Sequence, residues 1–418
     1  MMKNILNFLI EVQRLKETPR TGWVWLEVKN PEKIADHVFG VTILSWLLGR
    51  KKNLDLKRTI KTALFHELCE VYAGDITPYF GLLPKNKIKR KEILKRWIRL
   101  PKKEKEKRAK AKFELEEKAL LKLIKNLDPS IKDEIYSLWL DFEKGTSREG
   151  KFVKPIDKIE TMIQAIQYFG TGENTPVTGW WEEVEELVED PLLIKFLKAI
   201  EKKLYRKKIK ENLKELENIL DFFIKIGKLK RMPRRGWVLR NVKNPETMAS
   251  HIFVVTLAGW LLSKKLNSKL NEEKLLKMGL SHAICEVYAG DITPYETVLH
   301  QGKKIFNKWI RFPKKEKEKL FLKDYKQEKR ALQKLIKNLP ADLKEEIFML
   351  WNEFKKNQTK EARFLNQIDA LVTLLQALFY WQRDKNFPIQ PWWEWSFERI
   401  GDPLCLEFLG IMKKKFTD

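Results

Sequence analysis

The chain has little cysteine and little histidine, and it contains no long apolar run. Three cysteines in 418 residues (Cys69, Cys285 and Cys405) cannot form a disulfide framework, so a reducing cytoplasm is the expected setting. No stretch approaches the roughly 18 consecutive apolar residues of a membrane span, and a membrane protein is not expected. The N-terminal MMKNILNFLIEVQRLKE is amphipathic, carries Glu11 and lacks a small-residue cleavage site, so it reads as a first helix and not as a targeting peptide. Sustained period-2 alternation is absent as well, which argues against sheet and for an all-α architecture. What is present is core material: 43% hydrophobic residues, with 15 Trp and 23 Phe, enough for two ordinary domains.

Acidic charge is the minority sign, and the formal net charge is +26. A focused basic patch would point to nucleic acid or another polyanion. Here lysine is interleaved with glutamate, as in PKKEKEK at 101–107 and again at 313–319. Such runs make solvated helix faces with i,i+4 pairs. Nucleic-acid binding is therefore not the favoured reading of the charge.

The sequence is written twice, with a period slightly above 210 residues. RTGWVWLEVKNPEKIADH (20–37) returns as RRGWVLRNVKNPETMASH (234–251), and CEVYAGDITPY (69–79) returns unchanged at 285–295. WIRLPKKEKEK (97–107) matches WIRFPKKEKEK (309–319), and Trp180-Trp181 and DPL (190–192) match Trp392-Trp393 and DPL (402–404). A period this long is domain duplication, since solenoid units run to roughly 20–50 residues. The boundary is placed near residue 205, giving domains 1–205 and 206–418. Within the first copy, Asn30-Pro31 reads as a helix N-cap and first position. The next helix is expected over about 57–73, ending at Gly74. Further helices are expected over about 101–126, 130–143 and 155–169.

Only five histidines occur, and four fall at matching places, His37 with His251 and His66 with His282; His300 has no counterpart. A lone histidine on an apolar face is usually a satisfied core residue. Two scarce histidines per copy, both set among carboxylates, point instead to metal ligation. His66 is followed by Glu67, by Glu70 at i,i+4 on the same helix face, and by Asp75 past the helix end. Asp157 lies beside the inward stripe of KPIDKIETMIQAIQYF, where an unpaired carboxylate is costly and a metal or an arginine would remove the cost. Lys158 and Glu160 are expected to face solvent. The donor set suits Mn, Fe, Co, Ni or Zn, with open positions for a water of lowered pKa and a phosphate oxygen. Glu70 is placed to act on that water. Cys69 and Cys285 are expected to be small packing residues, and the tryptophan pairs at 180–181 and 392–393 to pack before base-stacking is invoked. The basic stretch 84–99 reads as a solvated helix.

These residues carry a family resemblance. R-x-G-W, NPE-x-x-x-DH and H-E-x-x-E-x-x-x-GDITP, followed by EKAL (117–120), Trp139-x-x-x-Glu143 and the Asp157 helix, resemble the HD-domain phosphohydrolases. Within them the chain is most similar to the 5′-deoxynucleotidase group, and the match covers most of each copy. The resemblance implies that His37, His66, Glu67 and Asp157 hold one divalent metal and that Glu70 acts on the attacking water. It implies that Asp75 stands near the leaving oxygen, that Arg20 holds the phosphate, and that Trp23 packs near the sugar. The implied reaction is hydrolysis of a nucleoside 5′-monophosphate. The group is commonly dimeric, so the two fused copies are expected to form a pseudo-symmetric pair. Two departures matter. The residue after the second histidine is Glu67 where the family has Asp, and Ala283 in the second copy, which can ligate nothing. His251, His282, Asp369, Glu286, Asp291, Arg234 and Trp237 remain, and the second copy is expected to be a degenerate structural or nucleotide-binding partner. The alternative for the whole chain is a degenerate pair binding nucleotide or RNA without turnover.

Overall fold

The computed structural model describes residues 2–77, 81–94, 100–172, 175–266, 270–293 and 307–417. Among these, every extended element is helical, apart from two isolated bridges, Pro19 with Lys33 and Pro233 with Thr247. His300, part of the basic stretch 84–99 and the end of each GDITPY segment lie outside the described residues. In chain order the helices of the first copy are α1 (Met2–Val12), α2 (Thr21–Trp25), α3 (Ile34–Gly49), α4 (Leu56–Phe65) and α5 (Glu70–Ala73). They continue with α6 (Lys87–Ile93), α7 (Lys102–Ile124), α8 (Pro129–Lys144), α9 (Arg148–Phe169), α10 (Val177–Leu187) and α11 (Pro191–Leu204). Next come α12 (Lys214–Ile226), α13 (Arg235–Val238), α14 (Met248–Ser263), α15 (Glu272–Ser281) and α16 (Glu286–Ala289). The chain ends with α17 (Lys314–Ile336), α18 (Ala341–Lys356), α19 (Lys360–Arg383), α20 (Gln390–Arg399) and α21 (Pro403–Thr417).

Contacts divide the chain into two compact units. The first holds residues 11–227. The second holds residues 228–418 together with residues 1–10, so most of α1 belongs with the second copy. The repeat places the expected boundary near residue 205; the contact division falls after Gly227, leaving α12 packed on α11 and α3 of the first unit.

In the first unit α3 is the central element. All 16 of its residues are buried, which is what a helix apolar on every side requires. It packs against α4 and α9, and α8 closes over both of these. In the second unit α14 takes the same place against α15 and α19.

Three local features depart from the sequence expectation. Helix α3 starts at Ile34 and not at Pro31. Asn30 sits at φ 52°, and Lys33 precedes the helix with its N–H donated to Asp36 at 2.9 Å. The backbone around Pro31 is occupied elsewhere: the Glu32 carbonyl accepts Arg20 N–H at 3.2 Å, and its N–H goes to the Tyr168 hydroxyl at 2.9 Å. The loop therefore straps the Arg20 segment to the helix start. The expected helix 57–73 is interrupted at 66–69, where Leu68, Glu70 and Val71 bond three residues back. Gly74, at φ 72°, does close α5, donating to the Glu70 carbonyl at 3.0 Å. Finally, α9 begins seven residues before Pro155, with Ser147 capping it by accepting the Gly150 N–H at 3.0 Å.

Candidate metal centre

The floor of the first unit gathers side chains from α3, the 66–69 turn and α9. The donor atoms of His37, His66, Glu67 and Asp157 all lie within 4.8 Å of one another. His37 Nε2 is 3.0 Å from Asp157 Oδ1, 3.4 Å from His66 Nε2 and 3.9 Å from Glu67 Oε1, and His66 Nε2 is 3.6 Å from the same Glu67 oxygen. The regular helix stops after Phe65, and the turn at 66–69 brings His66 and Glu67, consecutive in sequence, to one site. It also ends the uninterrupted i,i+4 face expected for His66 and Glu70, although Glu70 still lines the same cavity.

Outer partners fix which ring nitrogens face the centre. His66 Nδ1 lies 2.7 Å from the Ala63 carbonyl, which can only accept, so this nitrogen carries the proton. His37 Nδ1 lies 2.6 Å from Glu160 Oε2, with the same consequence. Both Nε2 lone pairs therefore point at each other and at two carboxylates, and Asp157 Oδ1 is buried with no hydrogen bond of acceptable geometry. Acceptors facing acceptors repel unless positive charge lies between them. The donor set fits a divalent ion, and two imidazoles with two carboxylates suit a borderline transition metal. The titration directions show the same demand for positive charge, which on His37 a proton can meet where no ion is bound. Burial and Arg20 oppose charge on His37, but Glu160 and Asp157 prevail and raise it. Burial opposes the Asp157 carboxylate, but Lys158 and His37 hold it well below the usual range.

Two residues expected in solvent belong to this site. Glu160 is 1% exposed and holds His37; the Lys158 ammonium lies 3.1 Å from Asp157 Oδ2 and lines the cavity. Sequence spacing gave no sign of this, because both flank the apolar stripe of α9. The second copy did carry a signal: Val372 and Ala370 stand at these positions, and an apolar counterpart marks an inward face.

Above the floor is a cavity of about 280 Å³. Arg20 lines it, with Nη1 donating to Thr161 Oγ1 at 3.3 Å and Nε 4.0 Å from Asp75. Asp75 in turn accepts the Thr21 N–H at 2.6 Å. Burial, together with Glu67 and Asp75, pushes Glu70 well above the ordinary carboxylate range. Trp23 is 1% exposed; its indole N–H donates to Glu32 at 2.9 Å, and its ring packs on Trp180 and Tyr168 at 4.9 and 5.2 Å between centroids. Trp180 thus packs and lines the cavity at once, while Trp181 bonds Glu185 and meets Tyr205. Cys69 and Cys285 are buried.

The second unit brings together His251, His282 and Asp369, again within 4.8 Å. Arg234, Glu286 and Asp291 line a cavity beside them, and Trp237 is buried against Trp392 and Tyr380. Ala283 adds no donor.

The same duplication appears in comparison with known proteins. The model of the HD-domain family matches residues 12–186 and again 226–394. The chain belongs to the HD-domain family. This HD-domain protein is 31% identical over 170 residues to 5′-deoxynucleotidase HDDC2 of Xenopus laevis, covering 41% of this chain and 73% of that one. It is 30% identical over 163 residues to the human protein of the same name, covering 39% and 68%. A protein of Pyrococcus horikoshii OT3 known from its crystal structure aligns with TM-score 0.35 and 22% identity, over 47% of this chain and 97% of that one. Membership places the chain among metal-dependent phosphohydrolases. No helix among the described residues is long and apolar enough to cross a membrane.

Proposed function

We propose that the first unit hydrolyses nucleoside 5′-monophosphates, deoxynucleotides in particular, to nucleoside and phosphate. The observation that carries this reading is the pair of Nε2 lone pairs and two carboxylates beneath a cavity that also holds Arg20 and Glu70. His37, His66, Glu67 and Asp157 would hold the divalent ion. When bound, that ion lowers the pKa of water at the site and draws charge from the phosphate. Glu67 has an added methylene compared with Asp, and its oxygen lies as near His66 as a shared ligand requires.

The remaining chemistry belongs to the protein. Arg20, steadied by Thr161 and Asp75, offers charge-assisted hydrogen bonds to the phosphate. Glu70 accepts the proton of the attacking water and returns it to the departing 5′-oxygen, beside which Asp75 stands. Burial, Glu67 and Asp75 raise the Glu70 carboxyl, which makes it a stronger proton acceptor than a solvated carboxylate. Trp23, locked by Glu32 and Trp180, forms a rigid wall for the sugar, and a wall that cannot yield disfavours an added 2′-hydroxyl. The names of the relatives, 5′-deoxynucleotidases, support the same substrate class.

The test is phosphate release from a panel of deoxy- and ribonucleoside 5′-monophosphates, with Mn, Fe, Co, Ni, Zn or Mg restored to chelator-stripped protein. Metal-dependent release is expected. Glu70→Ala should lower it about 10²–10⁴-fold with metal content unchanged; normal turnover in that variant would overturn the assignment.

A further inference from the structure

The second unit keeps one half of this site and has lost the other. Three ligands and the backbone carbonyl behind the second histidine remain, His282 Nδ1 lying 2.7 Å from the Gly279 carbonyl, but the side chains that complete and support the first site are replaced. Ala283 stands for Glu67, Val372 for Glu160 and Ala370 for Lys158. Without a carboxylate in Glu160's place, His251 Nδ1 makes no hydrogen bond, and Nε2 lies 2.9 Å from Asp369 Oδ1 in a closed pair. One carboxylate remains, already engaged. These residues do not fit a tightly held divalent ion, although three donors still converge.

The anion side has been kept, and it is open. In the first unit Arg20 Nη1 donates to Thr161 Oγ1. Among the described residues, their counterparts Arg234 Nη1 and Thr373 Oγ1 are both buried and both without a hydrogen-bond partner, and Thr373 is only 2% exposed. Both line the same cavity. Arg234 is nonetheless anchored, with Nε 3.2 Å from Asp291, whose carboxylate also accepts the Arg235 N–H at 2.6 Å. A buried donor left unpaired costs on the order of 1–3 kcal/mol, and two of them facing one cavity mark a place that a ligand completes. The cavity is also larger, about 870 Å³ against about 280 Å³. Trp395 in place of Glu183 gives it a second aromatic wall beside Trp392, over which the Arg240 guanidinium lies 4.7 Å from the ring centroid.

We infer that the second unit binds a nucleoside monophosphate intact and without metal, its phosphate held by Arg234 and Thr373 and its base against Trp392 and Trp395. The inference rests on the proposed function only in taking a nucleotide as the ligand class.

The test is equilibrium binding of dAMP to the full chain in excess chelator, by calorimetry, with inorganic phosphate and deoxyadenosine as separate arms. One dAMP per chain is expected, recovered unhydrolysed, and binding more tightly than either fragment. Arg234→Ala should weaken it at least about 10-fold and the near-isosteric Thr373→Val about 3–10-fold, whereas Arg20→Ala should change it less than about twofold. The Thr373 variant keeps the test meaningful should Arg234→Ala misfold. No binding in chelator, binding insensitive to both second-unit variants, or loss with Arg20→Ala would each overturn the inference. Failure of the proposed function shows separately, as absent phosphate release by the metal-loaded protein.

Discussion

At the residue scale, buried carboxylates hold other groups in place. Glu160 is the clearest, since it fixes the His37 tautomer from behind. Glu160→Gln keeps a hydrogen-bonding group there but removes the charge, and it should weaken metal affinity about 10–100-fold with the fold intact. Chelator competition measures this, and unchanged affinity would remove Glu160 from the site. Asp141 plays a purely structural part. Burial raises its pKa, but hydrogen bonds from Ser147, Thr146 and Arg58 outweigh burial and bring it down to about 2. A folded value below the unfolded one contributes stability that is present above roughly pH 4 and is lost as pH falls toward 2. Asp141→Asn should therefore cost on the order of 1–2 kcal/mol at pH 7 in urea unfolding. The cost should shrink between pH 4 and 2; one independent of pH would contradict the assignment.

At the element scale, the two copies solve one electrostatic problem in opposite ways. Glu116 on α7 is buried, and burial pushes it up to about 7 against the pull of Lys112, 3.3 Å away on the same helix. In the second unit the cation for Glu328 comes from the neighbouring helix α18: Lys355 pairs with it, and Asp324 stands where Lys112 would be. Lys112 and Glu143 have thus exchanged signs with Asp324 and Lys355. Lys112→Asp alone should lower the melting temperature by about 4–8 °C, and adding Glu143→Lys should recover most of it. Additive losses would show that the two helices are not coupled. The same scale shows what sequence can disclose. The long charged helix and the stop at Gly74 follow from periodicity and capping, so they were legible. The α3 start was not, because Pro31's surroundings bond to Arg20 and Tyr168, which are distant in sequence. The break at His66 was not, because a three-residue bond pattern leaves no mark on apolar spacing. His37 and His66 stood out by scarcity and repetition, and Asp157 by its place beside an apolar stripe. Glu67 as a ligand came only from the family resemblance, since Ala283 breaks the repeat; the structure brings the four donor atoms within 4.8 Å of one another. Glu160 and Lys158 were missed, because flanking residues on a helix look solvated until a tertiary partner is known.

At the scale of the whole molecule, duplication supplies an internal control: one fold carries two versions of a site that differ at Glu67, Lys158 and Glu160. The full chain should therefore hold one divalent ion. Ala283→Glu combined with Val372→Glu restores a ligand and its outer support, and should raise the metal content toward two; no increase would mean that the second site lacks more than these groups. The same asymmetry governs turnover, and the decisive measurement is phosphate release by metal-loaded His37→Ala and His251→Ala full-length protein, side by side on a deoxynucleoside monophosphate. Loss of at least about 100-fold in His37→Ala, with His251→Ala near the parent rate, is the predicted result. Equal losses, or a greater loss in His251→Ala, would contradict the placement of catalysis in the first unit.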